Sequence, residues 1–155
     1  MTNEQKQLLI KDLCARLPYG VKISYVYTDG KICGEPITLT QIDYKFNVEE
    51  VKPYLRPMSS MTDEELKELV NLCLTKLYPY SREFVIKETE YVLDSCWYVQ
   101  IFYKDNNGKE YSSNLYVGRC SSIEEIDYLN AHHFDYRGLI PMGLALPAAD
   151  GMYNF

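Results

Sequence analysis

The sequence predicts an α+β fold in one domain, and three observations carry that prediction. Two stretches repeat apolar residues at helical spacing behind capping residues: Leu9, Leu13 and Leu17, then Leu66, Leu69, Val70, Cys73, Leu74 and Leu77. A third stretch, 84–117, turns to β-branched and aromatic residues separated by turn signals. The 155 residues suffice for one domain with its own core, and no repeat or interdomain linker divides them. The expected order is an N-terminal helix, a small twisted antiparallel sheet (barrel-like closure being one option), a central amphipathic helix, a three-stranded meander, a short C-terminal helix and an apolar tail.

Each element has its own local cause. Thr2 and Gln5 form a capping box that opens the first helix; Ile10 and Cys14 widen its apolar stripe, and Pro18-Tyr19-Gly20 ends it. Val21, Ile23, Tyr25 and Tyr27 alternate with Lys22, Ser24 and Val26, the pattern of a half-buried strand. Asp29-Gly30 supplies a tight turn, and the return strand from Lys31 is interrupted at Gly34 and Pro36. Stretches 37–42 and 44–48 read as two further short strands. Segment 51–57 carries Pro53 and Pro57, which lack the N–H donor of a ladder, so a central strand is not expected there.

Thr62 and Glu65 form a second capping box, with Asp63 and Glu64 favourably placed at the positive end of the helix dipole, and the apolar face behind them stops before Pro79. Strands are expected at 84–92, 96–103 and 110–117, with Asp105-Asn106-Asn107-Gly108 as the second turn. The middle strand, Cys96 to Tyr103, has almost no polar face and is expected at the centre with both sides covered. Ser122 and Glu125 open a short helix with Ile123, Ile126 and Leu129 turned inward. The segment 139–153 is apolar but broken by Pro and Gly, so it forms no long helix and must dock on the domain's own core or on a partner.

Composition narrows the function classes. A net charge of −6, from 22 acidic and 16 basic residues, disfavours binding to phosphate backbones by bulk charge. The N-terminal stretch lacks the charged and apolar regions of a signal peptide, and no apolar run reaches membrane-spanning length, which predicts a cytoplasmic protein. Five scattered cysteines without a CxxC pair read as reduced thiols rather than zinc ligands or disulfides. No phosphate loop, nucleophile elbow or HExxH occurs, and nothing asks for a cofactor.

Two features remain. The segment Leu129 to Ile140 holds both histidines, and His132, His133, Asp135, Tyr136 and Arg137 are the candidate binding residues. Adjacent helical residues point about 100° apart, so His132 and His133 cannot face one ion from a regular helix. The simpler reading has one histidine packing at or capping the helix end, its cationic form suiting the dipole, while Asp135 and Arg137 order the next turn. The second feature is the 15 tyrosines, expected to pack in core and sheet, with an exposed binding surface as the alternative.

Three strings, Leu13 to Val21 (LCARLPYGV), Val51 to Met61 (VKPYLRPMSSM) and Leu129 to Ile140 (LNAHHFDYRGLI), resemble a family of small uncharacterised proteins of anaerobic gut bacteria and their prophages and mobile elements. The resemblance implies a phage or mobile-element accessory protein and supplies no catalytic residues. The favoured function is therefore non-enzymatic binding of a macromolecular partner, a protein rather than nucleic acid or membrane. One alternative is a small metal-assisted or acid–base hydrolase centred on His132, His133 and Asp135. A second is capture of a small ligand such as a nucleotide between tyrosines.

Overall fold

The computed structural model describes residues 1–27, 29–42, 46–77, 84–92, 96–105, 107–119 and 122–153. It is an α+β chain with helices α1 (Asn3–Arg16), α2 (Asp63–Leu77) and α3 (Ile123–Ala131). Its strands are β1 (Lys22–Val26), β2 (Ile32–Thr38), β3 (Val51–Leu55), β4 (Phe84–Val92), β5 (Cys96–Lys104), β6 (Glu110–Val117) and β7 (Leu146–Pro147). The backbone groups into two compact units, Met1–Pro57 with Asn130–Phe155, and Met58–Leu129. Among the described residues, no helix is long and apolar enough to cross a membrane.

In the first unit, both arms of the α1 capping box form: Thr2 Oγ1 accepts the Gln5 N–H and Gln5 Oε1 accepts the Thr2 N–H. A 3₁₀ turn over Leu17–Tyr19 follows, and Gly20, at φ 69°, takes the left-handed conformation that ends it. The expected Leu9 and Leu13 are buried on the inner face of α1, with Ile10 and Leu17 packed at its edge; Asp12 and Arg16 share that face, and Cys14 is exposed, contrary to expectation. The sheet, in order β2-β1-β3-β7, is open and not a barrel.

The interruption expected at Gly34 and Pro36 is an irregularity in the pairing of β2 with β1, between Ile23–Ile37 and Tyr25–Cys33, and the strand continues through it. Beyond it Tyr25 and Tyr27 are exposed while Ser24 is buried, so the simple alternation breaks there. β3 is an interior strand despite Pro53, because β7 pairs only with Tyr54 and Leu55 and leaves that ladder short of the proline. The proposed strand over 44–48 falls partly outside the described residues, and 48–50 is a 3₁₀ turn. The tail docks on its own unit: Leu139, Leu144 and Ala145 share a core with Leu9, Leu13, Val21, Ile23, Val51 and Leu55.

In the second unit, Thr62 and Glu65 complete the α2 capping box. Leu66, Leu69, Val70 and Leu74 are its buried side. The meander runs β4-β5-β6 with β5 central, as expected. Asp105 Oδ1 accepts the N–H groups of Asn107 and Lys109 in the β5–β6 turn; Asn106 lies outside the described residues. Ser122 Oγ accepts the Glu125 N–H at the start of α3. Ile123 faces out at 72% exposure, contrary to expectation. Leu129 turns inward as expected, Glu125 is buried with it, and the Glu125 carboxylate accepts the Gly118 N–H at 2.6 Å.

Candidate functional site

The C-terminal turn gathers the residues singled out from the sequence, and most of them are buried. His133, at 1% exposure and φ 57°, is the left-handed residue that ends α3, and its N–H donates to the Asn130 carbonyl at 3.1 Å. Its ring stacks on Tyr153 with centroids 3.9 Å apart, and it hydrogen-bonds the Tyr19 backbone. Burial and the nearby Arg16 push its pKa down to about 4, with His132 and Arg56 adding to the effect. The ring is therefore neutral at neutral pH, and the expected cationic cap does not form at this residue. His132, half-buried, lies beside Phe134 with ring centroids 6.4 Å apart.

Asp135 is held by the turn it orders. Its two oxygens accept the N–H groups of Leu139 and Ile140, each at 2.8 Å, and burial pushes its pKa up against those bonds. Arg137 Nη2 donates to Tyr136 Oη at 2.6 Å, and Tyr136 Oη donates to Asn130 Oδ1 at 3.0 Å. Arg137 Nε also lies 3.6 Å from Asp12 Oδ1.

Beneath this turn is a pair that the sequence reading missed. Arg16 donates through Nε and Nη2 to both oxygens of Asp12, at 2.8 and 3.1 Å, and through Nη2 to the Phe134 carbonyl at 2.7 Å. Neither side chain is exposed to water. The available signal was spacing: positions 9, 12, 13 and 16 fall on one helical face, so Asp12 and Arg16 share the stripe of Leu9 and Leu13. Phe134 is paired to Arg56 by a bridge, and the Arg56 guanidinium stands 4.2 Å from its ring centroid.

The Asp135 oxygens point at backbone N–H groups, and the His133 ring is stacked on Tyr153. Among the described residues, no three His, Cys, Asp or Glu side chains cluster closely enough to hold a metal ion. The thiol of Cys73 is pushed up to about 12 by burial and by Glu125, which suits a packed side chain rather than a nucleophile.

The meander presents the opposite situation. Successive side chains of a strand point to opposite faces. On β5 and β6, Val99, Ile101, Leu115 and Val117 form one buried face; α2 packs against β6, and Trp97 Nε1 reaches the Met58 carbonyl at 3.1 Å. The other face is covered at one end, where Cys96 is 1% exposed, half-buried at Tyr98 and Gln100, and open at Phe102, Lys104 and the β4 and β6 margins, so the expectation that β5 is covered on both sides holds only in part. Val85 is 60% exposed there, Phe102 36% and Tyr116 48%.

Register gives that open face its rows. Glu90, Tyr98 and Tyr116 stand side by side, as do Glu88, Gln100 and Asn114, then Val85, Phe102 and Ser112. Tyr98 and Tyr116 touch edge to face at 5.6 Å, and the Arg119 guanidinium lies 4.5 Å from the Tyr116 ring centroid. Lys87 stands 5.4 Å from the Phe102 ring centroid, and Lys104 pairs with Glu110 at 3.0 Å. A hollow of about 490 Å³ is lined by Val85, Phe102, Lys87, Lys104 and Glu110, together with Phe84 and Tyr103. Tyr103 stacks on Tyr111 at 5.6 Å, so this pair is already in ring contact and does not stand open around a ligand.

No family model, curated protein or solved structure matches the chain.

Proposed function

We propose that the protein is a non-enzymatic accessory protein that binds a protein partner through the open face of its meander. The supporting observation is the exposure of Val85, Phe102 and Tyr116 on one sheet face, with Lys87 and Arg119 over two of the rings. Aromatic side chains give large contact area for little lost conformational freedom, and aromatics with arginine are enriched where binding energy concentrates. The acidic net charge favours a protein over a nucleic acid as the partner. The resemblance noted above supports a setting in the cytoplasm of a bacterium that carries a prophage or mobile element.

The test is capture on immobilised protein from host lysate by wild type, Phe102→Ser/Tyr116→Ser and His132→Ala in parallel. A stoichiometric protein kept by wild type and His132→Ala but lost by the face variant is the expected result. A partner kept by the face variant and lost by His132→Ala would return the search to the C-terminal turn.

A further inference from the structure

We propose that the open face of the meander pairs with the same face of a second copy of this chain, in a two-fold dimer. The proposal rests on reading that face as a docking surface, and it commits the surface to a particular occupant.

The inference comes from how charge is laid across the rows. In the row Glu90–Tyr98–Tyr116, the carboxylate lies on β4 at one margin and the Arg119 guanidinium lies over Tyr116 on β6 at the other. Strands are about 4.8 Å apart, so these two strands are roughly 10 Å apart, too far for the two groups to neutralise each other directly. Both residues are exposed, and neither has an ion-pair partner among the described residues. Between them lie aromatic rings and the neutral side chains Gln100 and Asn114.

At the Tyr98–Tyr116 end the face is acidic on the β4 margin, through Glu88 and Glu90, and cationic on the β6 margin, through Arg119, with Lys87 on β4 and Glu110 on β6 reversing the signs at the other end. Such a pattern is complementary to itself under one rotation. With a two-fold axis parallel to β5, β4 of each copy faces β6 of the other at the same height. Glu90 then opposes Arg119 and Tyr116, Glu88 opposes Asn114, and Val85 with Lys87 opposes Ser112. Tyr98, Gln100 and Phe102 lie at the axis and meet their own counterparts. Closed two-fold pairs are the commonest homo-oligomers, and the symmetry makes each charge contact twice. The Lys104–Glu110 pair is already neutral and sits at the end of the face.

Size sets the strength. Nine residues at about 3.3 Å by three strands at about 4.8 Å give roughly 400 Å² per copy in plan, before side-chain relief is counted. Over both copies that is about 800 Å², below the ~1,200 Å² at which stable interfaces begin, so the dimer is weak, reversible and dependent on concentration.

The experiment is sedimentation velocity across a wide range of protein concentration, on wild type, Glu90→Arg, Arg119→Glu and the double exchange, with circular dichroism to confirm folding. Both positions are exposed, so the fold tolerates the changes. The expected result is a wild type that moves from 18.1 kDa to twice that mass, single variants weakened about tenfold or more, and recovery in the double exchange. A chain that stays monomeric throughout overturns the proposal, as does a dimer that neither single variant weakens. Weakening by both single variants without recovery overturns it too, because the pairing of Glu90 with Arg119 would then be wrong. If the chain is monomeric while Phe102→Ser/Tyr116→Ser still loses a captured protein, self-pairing fails and the broader binding reading stands.

Discussion

The C-terminal turn and the open meander face hold the two most suggestive sets of side chains in the molecule, and they differ in what surrounds them. In the turn, Asp12, Arg16, Asp135, Tyr136 and Arg137 are buried or half-buried and bonded to one another or to backbone. On the meander, Val85, Phe102, Tyr116, Glu90 and Arg119 face water. Residue types associated with chemistry serve the fold in the first region, and ordinary surface types offer contacts in the second. A buried polar group with its hydrogen bonds made is a structural element, and most of the turn is of that kind; Arg137 Nη1 is the exception, buried without a hydrogen-bond partner among the described residues.

The sharpest way to break this contrast is to remove one member of the buried pair. Asp12→Ala leaves the Arg16 charge enclosed, and the expected loss is about 3–5 kcal/mol, read from urea unfolding. A loss below about 1 kcal/mol would mean that water reaches the pair and that the turn is not the closed element described.

Acid comes next. Unfolded His133 takes up a proton as pH falls below about 6.5, whereas the folded ring resists until about 4. Its contribution is therefore complete above pH 6.5 and declines across that window, by about 3 kcal/mol at the limit. Asp135 acts in the opposite sense: its folded carboxyl takes a proton earlier than the unfolded one, so it offsets part of the loss. His133→Asn keeps a residue that tolerates the left-handed conformation and should flatten the stability profile between those pH values.

Asp135→Ala is expected to cost about 2 kcal/mol, since two turn N–H groups lose their acceptor. Smallest of all is the effect of Phe102→Ser/Tyr116→Ser on stability, about 1 kcal/mol or less, because both side chains already face water. The same pair should have the largest effect on binding, which inverts the order for the turn.

Local signals in the sequence were enough for much of the fold. The capping residues Thr2, Thr62 and Ser122 place the three helix starts, and β4 and β6 span the stretches expected from composition. What escaped depends on contacts distant in the chain. Pro53 is accommodated inside a sheet because β7, some ninety residues later, reaches only Tyr54 and Leu55. The apolar run of β5 fixes its central position but cannot say that cover on its second face fades from buried Cys96 to exposed Phe102. Spacing puts Asp12 and Arg16 in the apolar stripe of α1, but the Phe134 carbonyl that completes the Arg16 bonding comes from the far end of the chain. For the candidate site, His132, His133, Asp135, Tyr136 and Arg137 were visible as a cluster, but their burial was not. The exposed face was hidden among 15 tyrosines because exposure is a property of the packed chain.

The most direct measurement sets the two regions side by side: partner retention per folded molecule by Asp135→Ala and by Phe102→Ser/Tyr116→Ser, each normalised to its folded fraction. Wild-type retention by Asp135→Ala with loss in the face variant is the result predicted. Loss in Asp135→Ala while the face variant still binds would contradict it and would locate the function in the C-terminal turn.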